Sequence, residues 1–321
     1  MEKKPETEVA APSLPATAPP PHPLESADTR NQFLREQAMQ QYTKGDFPRA
    51  IHYFEASLLL GAQPQDAWPK FMLFYCYMAV GDYRNALMTA ENLVRDYPYQ
   101  SLTYQQLGLA QFWLGNTDEA VQSFQRGLEF ESHPPRTHFY LGLASQRLND
   151  DANKEKSFQE AEIEYQEILK SNPRDFNANY ELASLYLYWN KHVDKVPLLL
   201  NAIKESIAQS GEEDTPQEKQ LYFNYYLPLL EGIWLYRKGE GNGSLRVLFE
   251  TLANLPSGLR ADLAEIYHYI GKSYLLIGEN ENARVFLEKG ITLDPRGPYS
   301  AESQAAVRSI LSRESISPEL R

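Results

Sequence analysis

The chain has 321 residues, 42% of them hydrophobic and 12% aromatic, and a formal net charge of −12 at pH 7. Binding a nucleic-acid backbone requires clustered Lys and Arg side chains, and the sequence has no such run, so nucleic acid is not an expected partner. No stretch of 18 apolar residues is present. We therefore expect no transmembrane segment.

Residues 1–28 contain seven of the 21 prolines and no aromatic residue. This composition predicts a disordered, Pro-rich spacer. The segment has no apolar core typical of a signal peptide. Two compartments remain open: the cytoplasm if Met1 is native, or the cell envelope or periplasm if a signal segment was removed.

From residue 31 onwards, apolar residues recur at spacings of three and four, which predicts helices and no strands. Helix pairs are expected near 31–64, 67–98, 101–134, 136–173, 176–210, 217–256 and 261–295. In the second pair the helices should span about 67–80 and 83–96, with Asp66 as N-cap and Pro69 in the first turn. Cys76 is the single cysteine, and we expect it to be a small buried hydrophobic residue.

The fourth to sixth pairs depart from the regular pattern. Asp150–Lys156 should lengthen the turn of the fourth pair by seven residues. The second helix of the fifth pair, near 192–209, carries Pro197, and an acidic loop follows at 211–216. Pro228 should kink the long helix at about 217–238, because it removes a backbone hydrogen bond and clashes with the preceding turn.

The clearest pattern comes last along the chain. The seventh pair places eight residues at fixed offsets: Tyr267, Ile270, Gly271, Tyr274, Gly278, Ala283, Leu287 and Pro295. The first glycine should let the two helices touch, and the second should end the first helix in a left-handed turn. Shorter versions run from Tyr104 to Leu128 and from Leu73 to Pro98. A more polar helix at 299–313 should cap the stack, followed by a frayed tail at 314–321.

This pattern resembles the tetratricopeptide repeat (TPR) family over roughly residues 31–295. The resemblance implies an all-α fold, a right-handed α–α superhelical solenoid of about seven helix-turn-helix repeats with a C-terminal capping helix. It also implies a concave face that holds another protein or a peptide.

The same resemblance assigns residues of the first helices to the concave face, which becomes the candidate partner-binding groove. Its members are Trp68, Phe71, Tyr75, Leu109, Phe112, Trp113, Phe139, Arg147, Tyr180, Tyr188 and Tyr236. Interface hot spots favour Trp, Tyr and Arg, so we expect a partner segment in this groove. Alternatively the rings pack against one another, or the groove is occupied by the N-terminal arm or by a second subunit.

Catalytic residues, metal ligands and cofactors are not expected. His133 and His138 are separated by two prolines, so they do not share a helix face as paired metal ligands would. Phosphate-cradling loops and nucleophile elbows are absent from the sequence. The sequence therefore predicts a non-enzymatic adaptor. The alternatives are a structural subunit of a homo- or hetero-oligomer, including a cell-envelope assembly, and a small-molecule receptor with its pocket at the fifth and sixth repeats.

Overall fold

The computed structural model describes residues 26–60, 67–209, 222–256, 259 and 262–316. These ranges contain fifteen α-helices and no strand, which confirms the all-α prediction. The helices are α1 (Ala27–Thr43), α2 (Phe47–Leu59), α3 (Trp68–Val80), α4 (Tyr83–Asp96), α5 (Ser101–Leu114), α6 (Thr117–Leu128), α7 (Arg136–Arg147), α8 (Asp151–Ser171), α9 (Phe176–Trp189), α10 (Val196–Gln209), α11 (Leu227–Arg237), α12 (Gly241–Ala253), α13 (Leu263–Leu276), α14 (Asn280–Leu293) and α15 (Ser300–Ile316).

Several sequence predictions fall outside these ranges. They concern residues 1–25 of the spacer, the Asp66 cap, the acidic loop at 211–216, the start of the helix predicted at 217–238, and residues 317–321. The last helix continues to Ile316, three residues past the predicted 313. None of the described helices is long and apolar enough to cross a membrane.

The helices stack as a two-layer solenoid. Each first helix packs against the second helix of its own pair, and each second helix packs against the next pair. The first helices also contact one another, from α5 to α7, α7 to α9, α9 to α11 and α11 to α13. The first helices therefore form one layer, and side chains from successive repeats meet on it.

Tight turns join the two helices of a pair because specific residues end the first helix and begin the second. Gly81 has φ of 77°, a left-handed conformation that costs glycine little. The side chain of Asp82 then accepts a hydrogen bond from the Asn85 backbone N–H at 3.2 Å and caps α4. In the fourth pair the left-handed position belongs to Asn149, with φ of 59°. The left-handed turn predicted at Gly278 is confirmed, because the φ of this glycine is 81°.

The two helices of the seventh pair touch at a glycine, as predicted. A Cβ added to Gly271 would lie 2.6 Å from Cγ of Leu287, closer than atoms can pack. Leu287 itself is fully buried. Gly142 and Phe158 meet in the same way in the fourth pair, where the added Cβ would lie 2.4 Å from the ring. In both pairs the contact joins residues sixteen apart.

That shared spacing corrects one prediction. The turn of the fourth pair is not lengthened by seven residues, because Asp150 caps α8 directly and accepts from the Asn153 N–H at 3.1 Å. The additional residues lie at the far end of the second helix: α8 has 21 residues, whereas α6 has 12. Nothing in the segment after Asp150 breaks a helix, so the capped helix starts at once.

The sixth pair is irregular next to Pro228. A π-helical turn at Tyr222–Tyr226 precedes α11, and Pro228 lies in the first turn of α11. Proline has no N–H to donate and so interrupts regular α-helical hydrogen bonding, and a non-α turn beside it accommodates that interruption. Pro197 follows the same rule at the start of α10, after a 3₁₀ turn at Val193–Lys195.

One continuous core runs between the layers, and α15 closes its C-terminal end. Val307 and Ile310 of α15 pack with Ala283 and Leu287 of the seventh pair. Cys76 is fully buried as predicted, and burial raises the pKa of its thiol to about 12.

Candidate functional site

The concave face forms a partly open cavity, because the C-terminal repeats return to the earlier ones. The Arg147 guanidinium donates to the backbone carbonyl of Phe112 at 3.1 Å and also to that of Arg296. In the first repeat, Gly45 lies so near Pro256 that an added Cβ would be 2.8 Å from the proline side chain. The cavity on this face has a volume of about 740 Å³.

Eight of the eleven predicted groove residues line this cavity: Tyr75, Leu109, Phe112, Trp113, Phe139, Arg147, Tyr180 and Tyr188. The other three do not. Trp68 packs edge-on against Phe54, and Tyr236 packs edge-on against Tyr269. Phe71 lies one turn of α3 before Tyr75 and does not line the cavity.

Part of the predicted aromatic groove is core rather than surface. Phe112 and Phe139 are each only 3% exposed, so their rings serve mainly as packing. Trp113 is half-buried and stacks on Tyr83 with ring centroids 5.6 Å apart. Half-buried Tyr75 also presents part of its side chain to the cavity. Phe112 and Phe139 therefore fit the packing interpretation, whereas Tyr75 and Trp113 fit the groove interpretation.

Two acidic residues at the start of α13 complete the wall. Glu265 is 6% exposed and accepts a hydrogen bond from the Tyr188 hydroxyl. Asp262, whose carboxyl is buried although part of the residue is exposed, accepts from the Tyr225 hydroxyl at 3.3 Å. Burial, with repulsion from Asp262, raises the pKa of Glu265 to about 7. Burial also raises the pKa of Asp262 to about 6.

The sequence held a signal for Glu265 that the groove assignment did not include. Glu265 stands six residues before the packing glycine Gly271, as Arg136 stands six before Gly142. Both Glu265 and Arg136 line the cavity. An acidic residue in the first turn of a helix is common, however, so the residue type alone did not mark it.

The cationic side chains of the cavity have other partners. Arg136 forms an ion pair with Glu181 at 3.0 Å. Burial nevertheless raises the pKa of Glu181, against the attraction of Arg136. Arg147 is engaged by two backbone carbonyls, as described above, and Arg237 lies over the ring of Tyr236 at 5.6 Å. Within the described ranges, neither Asp262 nor Glu265 forms an ion pair with Lys, Arg or His.

A second group of side chains brings together residues that were expected to be ordinary. His138 Nδ1 is hydrogen-bonded to Glu164 Oε1 at 3.0 Å, and His133 Nδ1 lies 3.6 Å from the same oxygen. One ligand atom from each residue lies within 4.8 Å of the other two. The sequence shows only that the two histidines do not share a helix face. Glu164 comes from α8, which packs against α7, so only the tertiary structure shows the three-residue group.

Comparison with known proteins supports the repeat architecture. Family models described as tetratricopeptide repeat match residues 103–126 and 264–296. The search of curated proteins gives no significant match.

Three solved structures show the extent of the structural likeness. A Rap protein complexed with competence and sporulation factor has a TM-score of 0.61 at 15% identity, covering 87% of this chain and 78% of that one. The APC/C hetero-tetramer Cut9–Hcn1 gives 0.59 at 11% identity, covering 91% and 51%. A tetratricopeptide repeat protein from Parabacteroides merdae gives 0.48 at 15% identity, covering 88% and 99%. At these identities the likeness establishes the fold alone.

Proposed function

The chain is built of tetratricopeptide repeats, and from that premise we propose that it is a non-enzymatic protein-interaction scaffold that holds a segment of a partner protein in its concave cavity. The observation that carries this proposal is the cavity of about 740 Å³, walled by half-buried aromatic rings and polar groups. Ligand sites in proteins are typically concave, mostly apolar and equipped with a few convergent polar groups.

The half-buried rings explain how a segment would be held. Tyr75, Trp113, Tyr180 and Tyr188 all line the cavity, and each keeps part of its surface accessible. An aromatic side chain buries about 150–250 Å² when it is fully covered, so a bound segment would remove much of this remaining area from water. Aromatic residues placed at the centre of an interface are the usual binding hot spots.

Site-specific photo-crosslinking in the full chain tests this proposal. A benzophenone amino acid replaces Trp113 in one variant and Tyr99 in a control, where the side chain is 86% exposed between α4 and α5. A polypeptide crosslinked from position 113 and not from position 99 is the expected result. Crosslinks from both positions, or from neither, would contradict a partner segment in the cavity.

A matched substitution experiment supports the assignment of residues. The Tyr75→Ala, Trp113→Ala double variant should retain helicity by circular dichroism and lose the crosslinked or co-purified polypeptide. Trp68→Ala is the control, because Trp68 is an aromatic residue of the same helix as Tyr75 and does not line the cavity. Equal retention by both variants would move the interface away from the cavity.

A second candidate is a small-molecule receptor, and the volume of the cavity favours it. The volume lies within the range of about 300–1,000 Å³ that is typical of small-ligand sites. Thermal unfolding of the full chain with a set of small apolar and cationic compounds distinguishes the two, since a ligand that binds the folded state raises Tm. The structural-subunit alternative predicts instead a mass that rises with protein concentration in sedimentation equilibrium.

A further inference from the structure

Asp262 and Glu265 form an acidic pair without a compensating cation in the described part of the chain. Both residues line the cavity, one at the N-terminus of α13 and the other in its first turn. Their hydrogen bonds come from tyrosine hydroxyls, from Tyr225 to Asp262 and from Tyr188 to Glu265. A buried carboxylate that lacks a cationic partner is unfavourable, so this pair is prepared for a positively charged occupant.

The ionisable groups that act on this pair are tyrosines from five different parts of the fold. They are Tyr83 of α4, Tyr188 of α9, Tyr225 of the π-helical turn, Tyr269 of α13 and Tyr299 just before α15. Burial raises the pKa of each hydroxyl above its ordinary value. The hydroxyls therefore stay neutral and supply no positive charge, and those of Tyr188 and Tyr225 donate hydrogen bonds to the pair.

The surrounding rings suit a cation that is carried on an apolar stem. Tyr180 and Tyr226 lie at the cavity wall with ring centroids 6.2 Å apart, and Phe139 and Tyr188 are 5.8 Å apart. Lys and Arg bury their aliphatic stems on such surfaces, and their cationic heads are attracted to the faces of aromatic rings. The acidic pair would pair with the cationic head of a Lys or Arg side chain, and the aromatic walls would cover its aliphatic stem.

We propose that the acidic pair of Asp262 and Glu265 binds the Lys or Arg side chain of the partner segment and so selects a basic segment. This inference rests on the proposed function, because it names the chemistry of the segment that the cavity holds. Binding weakens in acid, since a proton on either carboxyl removes the charge that attracts the cation. The pKa of Glu265 is about 7 and that of Asp262 is about 6, so affinity for the cation is lost as pH falls from about 7 to below 6.

Four capped pentapeptides that differ only at the central residue test the proposal. The central residue is Arg, Lys, citrulline or norleucine, with alanines on both sides, and affinity for the full chain is measured by NMR titration. At about pH 8 the Arg and Lys peptides should bind at least about tenfold more tightly than citrulline, the neutral isostere of Arg. At about pH 5 this preference should disappear, because both carboxyls are then protonated.

Near-isosteric variants locate the effect. Asp262→Asn and Glu265→Gln should each lower the Arg-to-citrulline preference by about tenfold, whereas Glu162→Gln should leave it unchanged. Glu162 is the matched control, because it also accepts a tyrosine hydroxyl, from Tyr186 at 2.7 Å, and does not line the cavity. Circular dichroism checks that each variant is folded, and the pH comparison on the unmodified chain needs no substitution.

The outcomes separate this inference from the proposed function. Equal affinity for the Arg and citrulline peptides at about pH 8, or no binding of any peptide at roughly millimolar concentration, would overturn the inference. The proposed function would still stand if position 113 crosslinks to a polypeptide. Tight binding of free small amines with no gain from the peptide backbone would also overturn it, in favour of a small-molecule receptor.

An independent observation concerns the group of His133, His138 and Glu164. The two distances to Glu164 Oε1, 3.0 and 3.6 Å, bracket the ligand separation of about 3.3 Å that follows from tetrahedral zinc with bonds of about 2.0–2.1 Å. His133 Nδ1 and Glu164 Oε2 are buried and have no hydrogen-bond partner. Two imidazoles and one carboxylate are a donor set that Zn²⁺ takes, with a fourth position left for water or a further ligand. We infer that this group binds a Zn²⁺-like divalent ion.

Titration of the full chain with Co²⁺, which has visible absorption bands, and with Zn²⁺ tests this second inference. One ion per chain is expected, with affinity lowered about 10- to 100-fold in His138→Ala and in Glu164→Gln. The control is His52→Ala, because His52 is exposed on α2 and away from the group. No uptake at roughly micromolar metal, or uptake unchanged in His138→Ala, would overturn the inference.

Discussion

Replacing Glu265 by Gln should make the stability of the protein less sensitive to pH. Burial and the nearby Asp262 raise the pKa of Glu265 from its ordinary value of 4.5 to about 7. Well below pH 4.5 the carboxyl is protonated in both the folded and the unfolded chain and contributes nothing to the pH dependence. As pH rises from 4.5 to about 7, the unfolded chain releases its proton first, so the free energy of unfolding falls. Above about pH 7 the carboxyl is ionised in both the folded and the unfolded chain, so the free energy of unfolding no longer changes with pH through this group.

The size of the effect follows from the shift. At 1.36 kcal/mol per pKa unit, a rise of about 2.5 units costs the folded state about 3 kcal/mol at high pH. Some of this loss is already present at pH 5. Between about pH 5 and pH 8, the unfolding free energy of Glu265→Gln relative to that of the unmodified chain should therefore increase by about 2.5 kcal/mol. The amide oxygen of Gln can still accept the hydrogen bond from Tyr188.

Urea unfolding followed by circular dichroism, repeated across this pH range, measures the difference. Glu302→Gln is the control. Burial alone would raise the pKa of Glu302, but attraction from His268 and the bond from Lys272 hold that pKa below its ordinary value. Its stabilising contribution is lost only as pH falls below this window, so its difference curve should be flat. Parallel pH curves for Glu265→Gln and the unmodified chain would refute a buried, pKa-raised carboxyl at this position.

Three further predictions test the packing. In thermal unfolding, Gly271→Leu should destabilise the chain by about 1–3 kcal/mol or more, because an added Cβ would already lie 2.6 Å from Leu287. The control is Gly243→Ala, which should be neutral or stabilising because the atom nearest to the added Cβ would be 3.6 Å away. Arg147→Met removes the hydrogen bond that joins α7 to the loop after α14, so small-angle X-ray scattering should report a larger radius of gyration. An unchanged radius would show that the contact between these two parts of the chain does not depend on the Arg147 side chain. Cys76 should react with a thiol reagent only in denaturant, because its side chain is buried and burial raises the pKa of the thiol to about 12. Rapid labelling of the folded chain would contradict this burial.

The repeat architecture could be predicted from the sequence because its signals are local. Gly81 ends a helix and Asp82 begins the next through contacts within a few residues. The touching positions, such as Gly271 and Leu287, are only sixteen residues apart and belong to one helix pair. The extended α8 was misjudged because the extra residues favour a helix equally well at either of its ends, and only the contact of Gly142 with Phe158 fixes the register.

The candidate site depended on the tertiary structure for a different reason. Each repeat adds a small rotation, and the sum over seven repeats decides whether the two ends of the solenoid meet. Arg147 and the Arg296 carbonyl are 149 residues apart in sequence, and no local pattern indicates their contact. The sequence by itself therefore determined the helix pairs and most of the rings on their inner face. Only the folded superhelix decided that this face forms a cavity, because the environment of Glu265 is created by distant repeats.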